Sequence, residues 1–400
     1  MKLLLIADAF PPMRTSAAVH MHELTLELIE QGHEVTVIIP AASSDVPLRF
    51  EKANRFRLVS ALSPKTKDVG YIRRTMAEFL SPYIIYSRLK SNSIINENFD
   101  GIIWYSPTIF FGPLISRLKK RYGCPAYLVL RDMFPDWAVD LGLMKRGLPY
   151  YFFKFVEFNQ YKVANFIGIQ APGNFKYFND GIFKKFKAKV ELLWTWVTPN
   201  NLNVNCSVDL TRTHLSGRKI FVYAGNMGVA QDFDLIMNLV ELYKHQVGIG
   251  FVFIGRGSEV ERLKGVVLQR ALENILFYDE IDSTQISALY AQCHVGLVAL
   301  DPRHKSSNVP GKFLSYMESG LPVLARLNPG NDLINVISDN QVGVSYVGSD
   351  PVELKIKADS LIEMLRNNQD ISSRCRCLAQ NLFSTEKAVN QIISALKRGN

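Results

Sequence analysis

The chain has 400 residues, of which 48% are hydrophobic and 21% are charged. This length exceeds one ordinary hydrophobic core, so two domains are expected, and the composition excludes a largely disordered chain. The five cysteines lack zinc-type spacing, which argues against a structural metal or a disulfide framework, and no apolar run is long enough to span a bilayer. We therefore expect a cytoplasmic protein.

The positive net charge of +9 has a local origin. Residues 141–190 hold nine Lys and Arg against Glu157 and Asp180, interleaved with many aromatic residues. An anionic membrane surface, an anionic substrate or nucleic acid could each account for this composition, but the chain carries no nucleic-acid-binding motif, so nucleic acid is not an expected partner. The residues that we predict at an anionic membrane surface are Tyr150, Tyr151, Phe152, Phe153, Lys154, Lys162, Lys176, Lys184 and Lys185. The alternative is that the aromatics are core and the lysines are merely solvated.

The first half of the chain alternates strands and helices. The stretch KLLLIA predicts a buried strand, and Ala17, Met21, Leu24 and Leu28 then follow at helical spacing up to Gly32. Further strands are predicted at HEVTVIIP, DGIIWYSP, PAYLVLRD, ANFIGIQAP and VELLWTWV. This strand–helix–strand order indicates a parallel sheet with right-handed crossovers.

A second alternating series follows a break in the apolar rhythm. Residues 198–217 are rich in Asn, Thr and Ser, which predicts a linker between domains at 1–197 and 218–375. Strands are predicted at KIFVYAG, IGFVFIG, NILFYDEI, HVGLVAL, LPVLARL and VGVSYV, and the tail 351–400 reads as all-helical. The predicted fold class is α/β, with two Rossmann-like, doubly wound parallel-sheet domains that bind ligands at the carboxyl ends of their strands.

Polar side chains follow two strands of the first half. Arg14, Thr15 and Ser16 lie where backbone N–H groups open the first helix, so they could bind an anion, or Ser16 could simply cap the helix. Arg131 and Asp132 end a predicted strand, where a guanidinium and a carboxylate suit sugar hydroxyls or phosphate, or form a capping ion pair. The GxGxxG fingerprint of dinucleotide-binding proteins is absent after the first strand.

Two glycine-containing loops follow adjacent strands of the second half. Gly225 and Gly228 in GNMG, and Gly255 in GRG, allow the backbone to approach a diphosphate, or they serve only tight turns. Arg256 could reach a phosphate from the second loop. Glu280 follows the next strand, where backbone groups could hold the edge of a nucleobase, or where Glu280 is only a solvated loop charge.

Lys312 breaks a local rule of helix formation. It lies in the first turn of the helix predicted in VPGKFLSYMESG, where the helix dipole disfavours a cation by up to about 1 kcal/mol. An anion between Lys312 and the helix N-terminus would reverse that cost, so this position predicts a phosphate-binding site. Ordinary surface charge is the alternative.

Together these motifs resemble the GT-B glycosyltransferases of family 4, in particular the bacterial L-fucosamine (N-acetyl-L-fucosamine) transferases of O-antigen and capsule assembly. The resemblance runs over nearly the whole chain, and it is carried by GHEVTVI, LRDMFPDW, YAGNMGVAQDFD, FIGRG and VPGKFLSYMESGLPV. It implies two domains that face a cleft. It also implies that the C-terminal helices cross back, with residues 376–400 bracing the N-terminal domain.

The resemblance also implies roles for individual residues. The candidate catalytic residues are Asp132 on the acceptor side and Arg256 and Lys312 at the donor diphosphate. Asn226 would face the phosphates or the sugar, and His20 would lie across the cleft, although a histidine one turn into a helix is more often simply packed. The implied donor is a UDP-sugar, transfer retains the anomeric configuration, and neither a cofactor nor a metal is expected.

The helix that contains Lys312 departs from the family pattern. Ser307 and Ser315 occupy the positions of two Glu that many family members carry, of which the second commonly binds ribose hydroxyls. Glu318 lies on the same helical face as Ser315 and is the candidate replacement. Asn308 and Pro310 complete the candidate substrate-binding residues of this segment.

The resemblance therefore predicts a glycosyltransferase of bacterial surface polysaccharide synthesis. The enzyme would move a sugar such as an N-acetylated deoxyhexosamine to a saccharide linked to a lipid diphosphate of the undecaprenyl type. It would act from the cytoplasm, peripherally on the inner face of the plasma membrane. Two alternatives stay open: a GT-B nucleotide-sugar epimerase or phosphorylase, and a non-catalytic nucleotide-sugar-binding protein.

Overall fold

The chain folds into two compact units, which are described separately. The computed structural model describes residues 1–13, 15–43, 46–53, 55–140, 142–199, 205–228, 231–301, 309–367 and 369–399. Unit 1 comprises Met1–Trp196 and Thr385–Asn400, and unit 2 comprises Val197–Ser384. Each unit contains a mainly parallel sheet with helices, which confirms the predicted α/β fold class with two Rossmann-like units.

Unit 1 is built on an eight-stranded sheet. Its strands are β1 (Lys2–Ile6), β2 (Glu34–Ala41), β3 (Leu48–Ala53), β4 (Phe56–Leu62), β5 (Gly101–Ser106), β6 (Ala126–Leu130), β7 (Phe166–Ile169) and β8 (Val190–Leu192). The strand order is β3-β4-β2-β1-β5-β6-β7-β8, and its pairs are parallel apart from β3 with β4. The sequence pattern does not predict the hairpin of β3 and β4. Its edge strand β3, with the sequence LRFEKA, is mostly exposed, and charged residues interrupt its apolar residues.

Unit 2 is built on a six-stranded sheet whose pairs are all parallel. Its strands are β9 (Lys219–Ala224), β10 (Ile249–Ile254), β11 (Ile275–Tyr278), β12 (Val295–Ala299), β13 (Val323–Arg326) and β14 (Gly343–Tyr346). The strand order β11-β10-β9-β12-β13-β14 reverses between β9 and β12. In open α/β sheets ligands bind at such a reversal, outside the carboxyl ends of the strands.

Helices cover the two sheets and make up most of the described C-terminal tail. They are α1 (Ser16–Glu30), α2 (Tyr71–Lys90), α3 (Gly112–Tyr122), α4 (Asp136–Asp140), α5 (Leu148–Val163), α6 (Phe233–Leu242), α7 (Val260–Arg270), α8 (Ile286–Tyr290), α9 (Gly311–Ser319), α10 (Leu333–Asp339), α11 (Pro351–Asn367), α12 (Ile371–Leu382) and α13 (Thr385–Gly399). Short 3-10 segments lie at Ser93–Asn96, Pro172–Phe178, Gly181–Lys189, Leu210–Arg212 and Ser283–Gln285. Within the described part of the chain, no helix combines the length and the apolar character needed to cross a membrane.

The last helix returns to unit 1. Val389, Ile392 and Leu396 of α13 are fully buried and share a hydrophobic cluster with residues of the unit 1 sheet and of α1. The units divide at 196/197 and 384/385, whereas the sequence pattern places a separate linker at 198–217 and a returning segment from 376. The predicted linker contains buried Leu210 and Leu215, whose apolar side chains are easily overlooked in an Asn- and Thr-rich stretch.

Candidate functional site

The loops after β9 and β10 pack backbone against backbone in unit 2. At Gly255, where φ is +140°, a Cβ atom would lie 2.1 Å from the Gly225 carbonyl oxygen. At Gly257, where φ is +150°, a Cβ atom would lie 2.0 Å from the Met227 carbonyl oxygen. Both the backbone conformation and the close approach therefore require glycine at these two positions. These contacts account for the second glycine loop without any ligand.

The N–H groups of the first glycine loop donate mainly within the protein. Gly225 and Met227 donate to backbone carbonyls of β10 and its following loop, at 2.9 Å and 2.7 Å respectively. The Gly228 N–H donates to the side chain of Gln231 at 2.9 Å. Asn226 is exposed between them. A diphosphate would therefore contact side chains at this loop rather than these three N–H groups.

Lys312 lies in the first turn of α9, two residues after the N-cap residue Pro310. Its ammonium donates to the Tyr223 hydroxyl at 2.9 Å and lies 4.5 Å from the centroid of the Tyr223 ring. The Tyr223 hydroxyl donates in turn to the Asn226 carbonyl oxygen at 2.7 Å. A Cβ atom at Gly225 would lie 3.8 Å from the Lys312 Cε. The ammonium is thus held beside the first glycine loop, at the reversal of strand order.

The electrostatic state of Lys312 is unusual for a lysine. Burial lowers the pKa of its ammonium to about 8, and no carboxylate of the described residues counters this effect. A desolvated ammonium without a counter-anion is destabilised, and an anion placed next to it would raise the pKa again and relieve that cost. The site is therefore suited to a negatively charged ligand.

Arg256 and Glu280 connect the loops that follow β10 and β11. The Arg256 Nη1 lies 3.4 Å from the Glu280 Oε2, and the Arg256 side chain is 66% exposed. An exposed ion pair of this length contributes little to stability. The structure thus brings Arg256 into the loop that packs on Gly225, with its guanidinium accessible to a phosphate.

The other predicted residues of α9 lie further along the helix. The Ser315 hydroxyl donates to the Gly311 carbonyl oxygen at 3.3 Å, one turn back, so Ser315 is engaged within the helix. Glu318 is half-buried near the helix end, where its carboxylate accepts a long hydrogen bond of 3.5 Å from Ser319. Neither contacts the Lys312 ammonium. Ser307 and Asn308 lie outside the described residues.

Sequence reasoning misses two residues of this strand-end region. Tyr223, whose hydroxyl accepts from Lys312, is the penultimate residue of the buried strand β9, and a hydroxyl at that position is the available signal. Arg326 ends β13, is 3% exposed, and places its Nη2 3.2 Å from the Asp232 Oδ2. Arg326 also has a sequence signal, because an arginine within the apolar stretch LPVLARL requires a buried partner.

Arg131 organises the strand ends of unit 1. Its Nη1 donates to the Tyr105 hydroxyl at 2.9 Å, and its Nη2 donates to the Ser16 hydroxyl at 3.1 Å. Thr15 rather than Ser16 caps α1, because the Thr15 Oγ1 accepts from a backbone N–H at 3.3 Å. The Ser16 hydroxyl therefore belongs to the Arg131 contact. Arg14 lies outside the described residues.

Asp8, two residues after the end of β1, is a further polar residue that sequence reasoning does not single out. Its Oδ1 is buried and has no hydrogen-bond partner within the described part of the chain. Burial raises the pKa of its carboxyl group to about 6, although Lys67 opposes the shift. Burial lowers the pKa of Arg131, but Tyr105, Asp132 and Asp8 outweigh it and raise that pKa. An acid at the end of the apolar stretch KLLLIA is the signal that could have found Asp8.

His20 and Asp132 differ in their surroundings. His20 is buried; its carbonyl oxygen accepts from the Trp196 indole N–H at 3.1 Å, and the two rings lie 5.8 Å apart. Burial, and then the charge of Arg131, lowers the pKa of the His20 imidazole to about 3, so the ring is neutral. Asp132 is half-buried beside Arg131. His20 thus packs inside unit 1, whereas Asp132 lies at the strand end.

Three of the predicted membrane-facing residues lie inside unit 1. The Lys154 side chain is only 13% exposed, and its ammonium lies 2.8 Å from carboxylate oxygens of both Asp136 and Glu157. Tyr150 and Phe153 are buried. The prediction is wrong for these three residues because α5 turns one face to the core, and the sequence composition does not tell which aromatics lie on it.

Comparisons with known proteins show the enzyme class of the chain. Residues 218–364, all in unit 2, match the family described as glycosyl transferases group 1. This chain is a glycosyltransferase. The probable glycosyltransferase WbjE of Pseudomonas aeruginosa is 26% identical over 148 residues, which cover 37% of each chain. The putative colanic acid biosynthesis glycosyl transferase WcaI of Escherichia coli is 23% identical over 80% of this chain and 82% of its own.

Solved structures extend the likeness over the whole glycosyltransferase. An α,α-trehalose-phosphate synthase (UDP-forming) from Burkholderia xenovorans superposes with a TM-score of 0.74 at 12% identity, covering 99% of this chain and 100% of its own. HepE from Anabaena, in complex with UDP-glucose, superposes with a TM-score of 0.67 at 12% identity, covering 99% of each chain. At these identities the likeness shows the fold, which is GT-B.

Proposed function

We propose that unit 2 of this glycosyltransferase binds a nucleotide-diphosphate sugar. The observation that carries the proposal is the desolvated Lys312 ammonium, which lies in the first turn of α9 beside the Gly225 loop. The family match covers the same unit. The name of the Burkholderia synthase and the UDP-glucose bound to the Anabaena protein support UDP as the nucleotide.

The side chains of unit 2 would act on the leaving diphosphate mainly by charge. As the glycosidic bond breaks, negative charge develops on the diphosphate, and preorganised cations and a helix N-terminus stabilise it. Lys312 would supply one charge from a desolvated position, where the interaction is stronger than in water. Arg256 would exchange its weak contact with Glu280 for a charge-assisted hydrogen bond to a phosphate oxygen.

The proposed reaction retains the anomeric configuration through an oxocarbenium-like transition state. The acceptor would attack from the face that the diphosphate leaves, and no carboxylate is assigned as a nucleophile. Among the described residues, no group of three or more His, Cys, Asp and Glu could hold a metal ion. A reaction without metal or cofactor stays a prediction.

Unit 1 would bind the acceptor at its own strand ends. A guanidinium held by Tyr105 and Ser16, with Asp132 beside it, suits an acceptor that carries hydroxyl and phosphate groups. The name of WcaI points to the biosynthesis of colanic acid. We therefore propose a saccharide on a lipid diphosphate of the undecaprenyl type as acceptor, reached from the cytoplasmic face of the membrane. An N-acetylated deoxyhexosamine, as in L-fucosamine transfer, is the proposed sugar.

A panel of nucleotide sugars tests the proposal by thermal shift and product analysis. A ligand at one hundred times its Kd stabilises the folded state by about 2.7 kcal/mol. We expect UDP-sugars to stabilise the protein and one of them to donate its sugar to a lipid-linked acceptor. An epimerised sugar, or free sugar released without acceptor, would instead favour the epimerase or phosphorylase alternative. Donor binding without turnover would favour a non-catalytic binding protein, and stabilisation by no nucleotide sugar would contradict the proposal.

A further inference from the structure

Two helices of unit 1 expose apolar faces to solvent. On α2 and on α5 the exposed apolar side chains recur at helical spacing, opposite the side chains that each helix buries. Those of α2 are Tyr71, Ile72, Met76, Phe79, Leu80 and Tyr83, and those of α5 are Leu148, Tyr151, Phe152 and Phe155. Ile72 is 79% exposed and Leu148 is 88% exposed, so these are not marginal core positions. We call these ten residues the two-helix face.

The two apolar stripes meet to form one surface. The Phe79 ring of α2 lies with its centroid 6.1 Å from that of Phe152 on α5, and 6.4 Å from that of the buried Phe110 beneath. A soluble monomer rarely exposes a continuous apolar surface from two neighbouring helices, and such a surface marks an interaction site.

Within the two segments that carry the two-helix face, the exposed charges have one sign. Over the fully described ranges 71–83 and 142–163, every exposed charged residue is basic. These residues are Arg73, Arg74, Lys145, Arg146 and Lys162. The acids in the same ranges are not exposed: Glu78 pairs with Arg74 at 2.7 Å, and Glu157 is buried. The surface is therefore both apolar and cationic.

A groove of about 900 Å³ opens between α2, α3 and α5. Its lining includes aromatic side chains from both stripes and several lysines. The aromatic residues are Phe79, Tyr83 and Phe155, and the lysines are Lys119, Lys120 and Lys162. Lys119 already donates to a backbone carbonyl at 2.8 Å, whereas Lys120 and Lys162 are exposed. A groove that is lined by both aromatic side chains and lysines matches an amphiphile with a phosphate headgroup.

We propose that the two-helix face docks unit 1 on an anionic lipid bilayer. Its aliphatic and aromatic side chains would enter the boundary between headgroups and acyl chains, and the surrounding basic residues would contact lipid phosphates. A second copy of the chain fits the face less well, because a symmetric contact would bring the same cations together. The proposal depends on the proposed function only in that a lipid-linked acceptor would bring the enzyme to a membrane.

Vesicle co-sedimentation of the full chain tests the proposal. The vesicles contain phosphatidylcholine alone or phosphatidylcholine with phosphatidylglycerol. Wild-type protein should bind the anionic vesicles more tightly, and high salt should weaken that binding. Replacing Lys120 and Lys162 by Gln should weaken binding to the anionic vesicles by roughly fivefold per charge and leave binding to neutral vesicles unchanged.

The apolar contribution has a matched control within the chain. The double substitution Ile72→Gln and Leu148→Gln should weaken binding to both kinds of vesicle by roughly tenfold or more. In the control, Val247→Gln and Leu268→Gln change two side chains of unit 2 that are 80% and 82% exposed, and vesicle binding should stay at the wild-type level. All four positions are on the surface, and unchanged thermal unfolding would confirm that the variants fold.

Two outcomes would overturn the docking proposal. In the first, the Ile72→Gln, Leu148→Gln variant binds vesicles as tightly as the control variant does. In the second, the wild-type protein is a dimer in sedimentation analysis, and this variant abolishes the dimer while vesicle binding persists. That result would assign the face to a second copy of the chain. Donor hydrolysis or transfer to a water-soluble acceptor is measured in parallel. Its absence in wild-type protein that binds vesicles normally would count against the proposed function and leave the docking surface standing.

Discussion

The strand ends of the two units are held together in different ways. In unit 2 backbone contacts hold the loops, and we call these contacts the backbone frame. The Gly255 loop lies directly against Gly225, and Met227 donates to a carbonyl of the neighbouring loop at 2.7 Å. In unit 1 the frame is made of side chains, since the Arg131 guanidinium itself joins β5 to α1 through Tyr105 and Ser16. The same Rossmann-like architecture thus uses different groups to fix the loops at the carboxyl ends of its strands.

This difference separates the roles of side chains in the two units. Where backbone contacts fix the loops, as around Lys312 and Arg256, a side chain can be removed without loss of the frame. Where Arg131 fixes the loops, its removal would disturb structure and binding together. Charge follows the same division: unit 2 presents cations at its reversal of strand order, whereas unit 1 combines Arg131 with Asp8 and Asp132. The first arrangement suits a diphosphate, and the second suits a ligand with hydroxyl groups as well.

The largest effect should come from breaking the backbone frame of unit 2. Gly255→Ala would place a methyl group 2.1 Å from the Gly225 carbonyl oxygen at a φ of +140°, so we expect a loss of roughly 3 kcal/mol or more in the free energy of unfolding. Gly248→Ala is the control, because a Cβ atom there meets no atom within 4 Å. Denaturant unfolding measures both, and equal unfolding midpoints would refute the backbone frame.

The next largest effect should come from Lys312→Ala, which would remove the proposed contact with the diphosphate and leave that frame intact. A charge-assisted hydrogen bond contributes roughly 1.5–3 kcal/mol, and if it strengthens as the diphosphate leaves, kcat should fall by about ten- to hundredfold. Lys355→Ala is a matched control, because the Lys355 ammonium also lies over a tyrosine ring, 4.7 Å from the centroid of Tyr243. Steady-state kinetics with saturating donor measures the loss. If both variants turn over at the wild-type rate, Lys312 does not act on the donor.

The sequence predicted the fold further than it predicted the site. Apolar strands alternating with helices were sufficient for both sheets, and only the hairpin of β3 and β4 was missed, because its exposed edge has no apolar run. The glycine loops follow β9 and β10, but Gly255 is explained by its contact with Gly225, a contact that depends on the pairing of β9 with β10. Tyr223 and Lys312 are 89 residues apart, and a contact at that separation follows from strand order rather than from a local motif.

The helices of unit 1 show a second limit of sequence patterns. An apolar stripe at helical spacing looks the same whether it faces the core or solvent, so periodicity alone does not distinguish the exposed stripe of α2 from a buried one. In α5 the aromatic run YYFF contains both kinds of position: Tyr150 and Phe153 are buried, and Tyr151 and Phe152 are exposed. Only the packing of the helix on the sheet distinguishes them.

The pH dependence of donor capture tests Lys312 separately from the arginines, because lysine titrates in the accessible range and arginine does not. Burial lowers the pKa of Lys312 to about 8, so the ammonium is charged below that pH and becomes neutral above it. The kcat/KM for the donor, which reports the free enzyme, should therefore fall as pH rises through about 8. Lys312→Arg keeps the charge at all these pH values, so the alkaline limb should disappear. A limb that persists unchanged in this variant would have to arise from another group.

The smallest effect should come from Glu318→Gln, which tests whether the family's ribose contact has moved along α9. Glu318 is half-buried six residues after Lys312, and its carboxylate would accept hydrogen bonds from the ribose hydroxyls of the donor. A hydrogen bond to a charged acceptor exceeds one to a neutral amide by about 1 kcal/mol, so the Kd for UDP should rise by about fivefold with kcat almost unchanged. The exposed Glu363, changed to Gln, is the control for loss of one negative charge in unit 2.

Titration calorimetry with UDP and with 2′-deoxy-UDP separates the contact from a general charge effect. If Glu318 binds the 2′-hydroxyl, the substitution should weaken UDP and leave 2′-deoxy-UDP nearly unaffected. An equal loss for both nucleotides would mean that the carboxylate does not contact that hydroxyl.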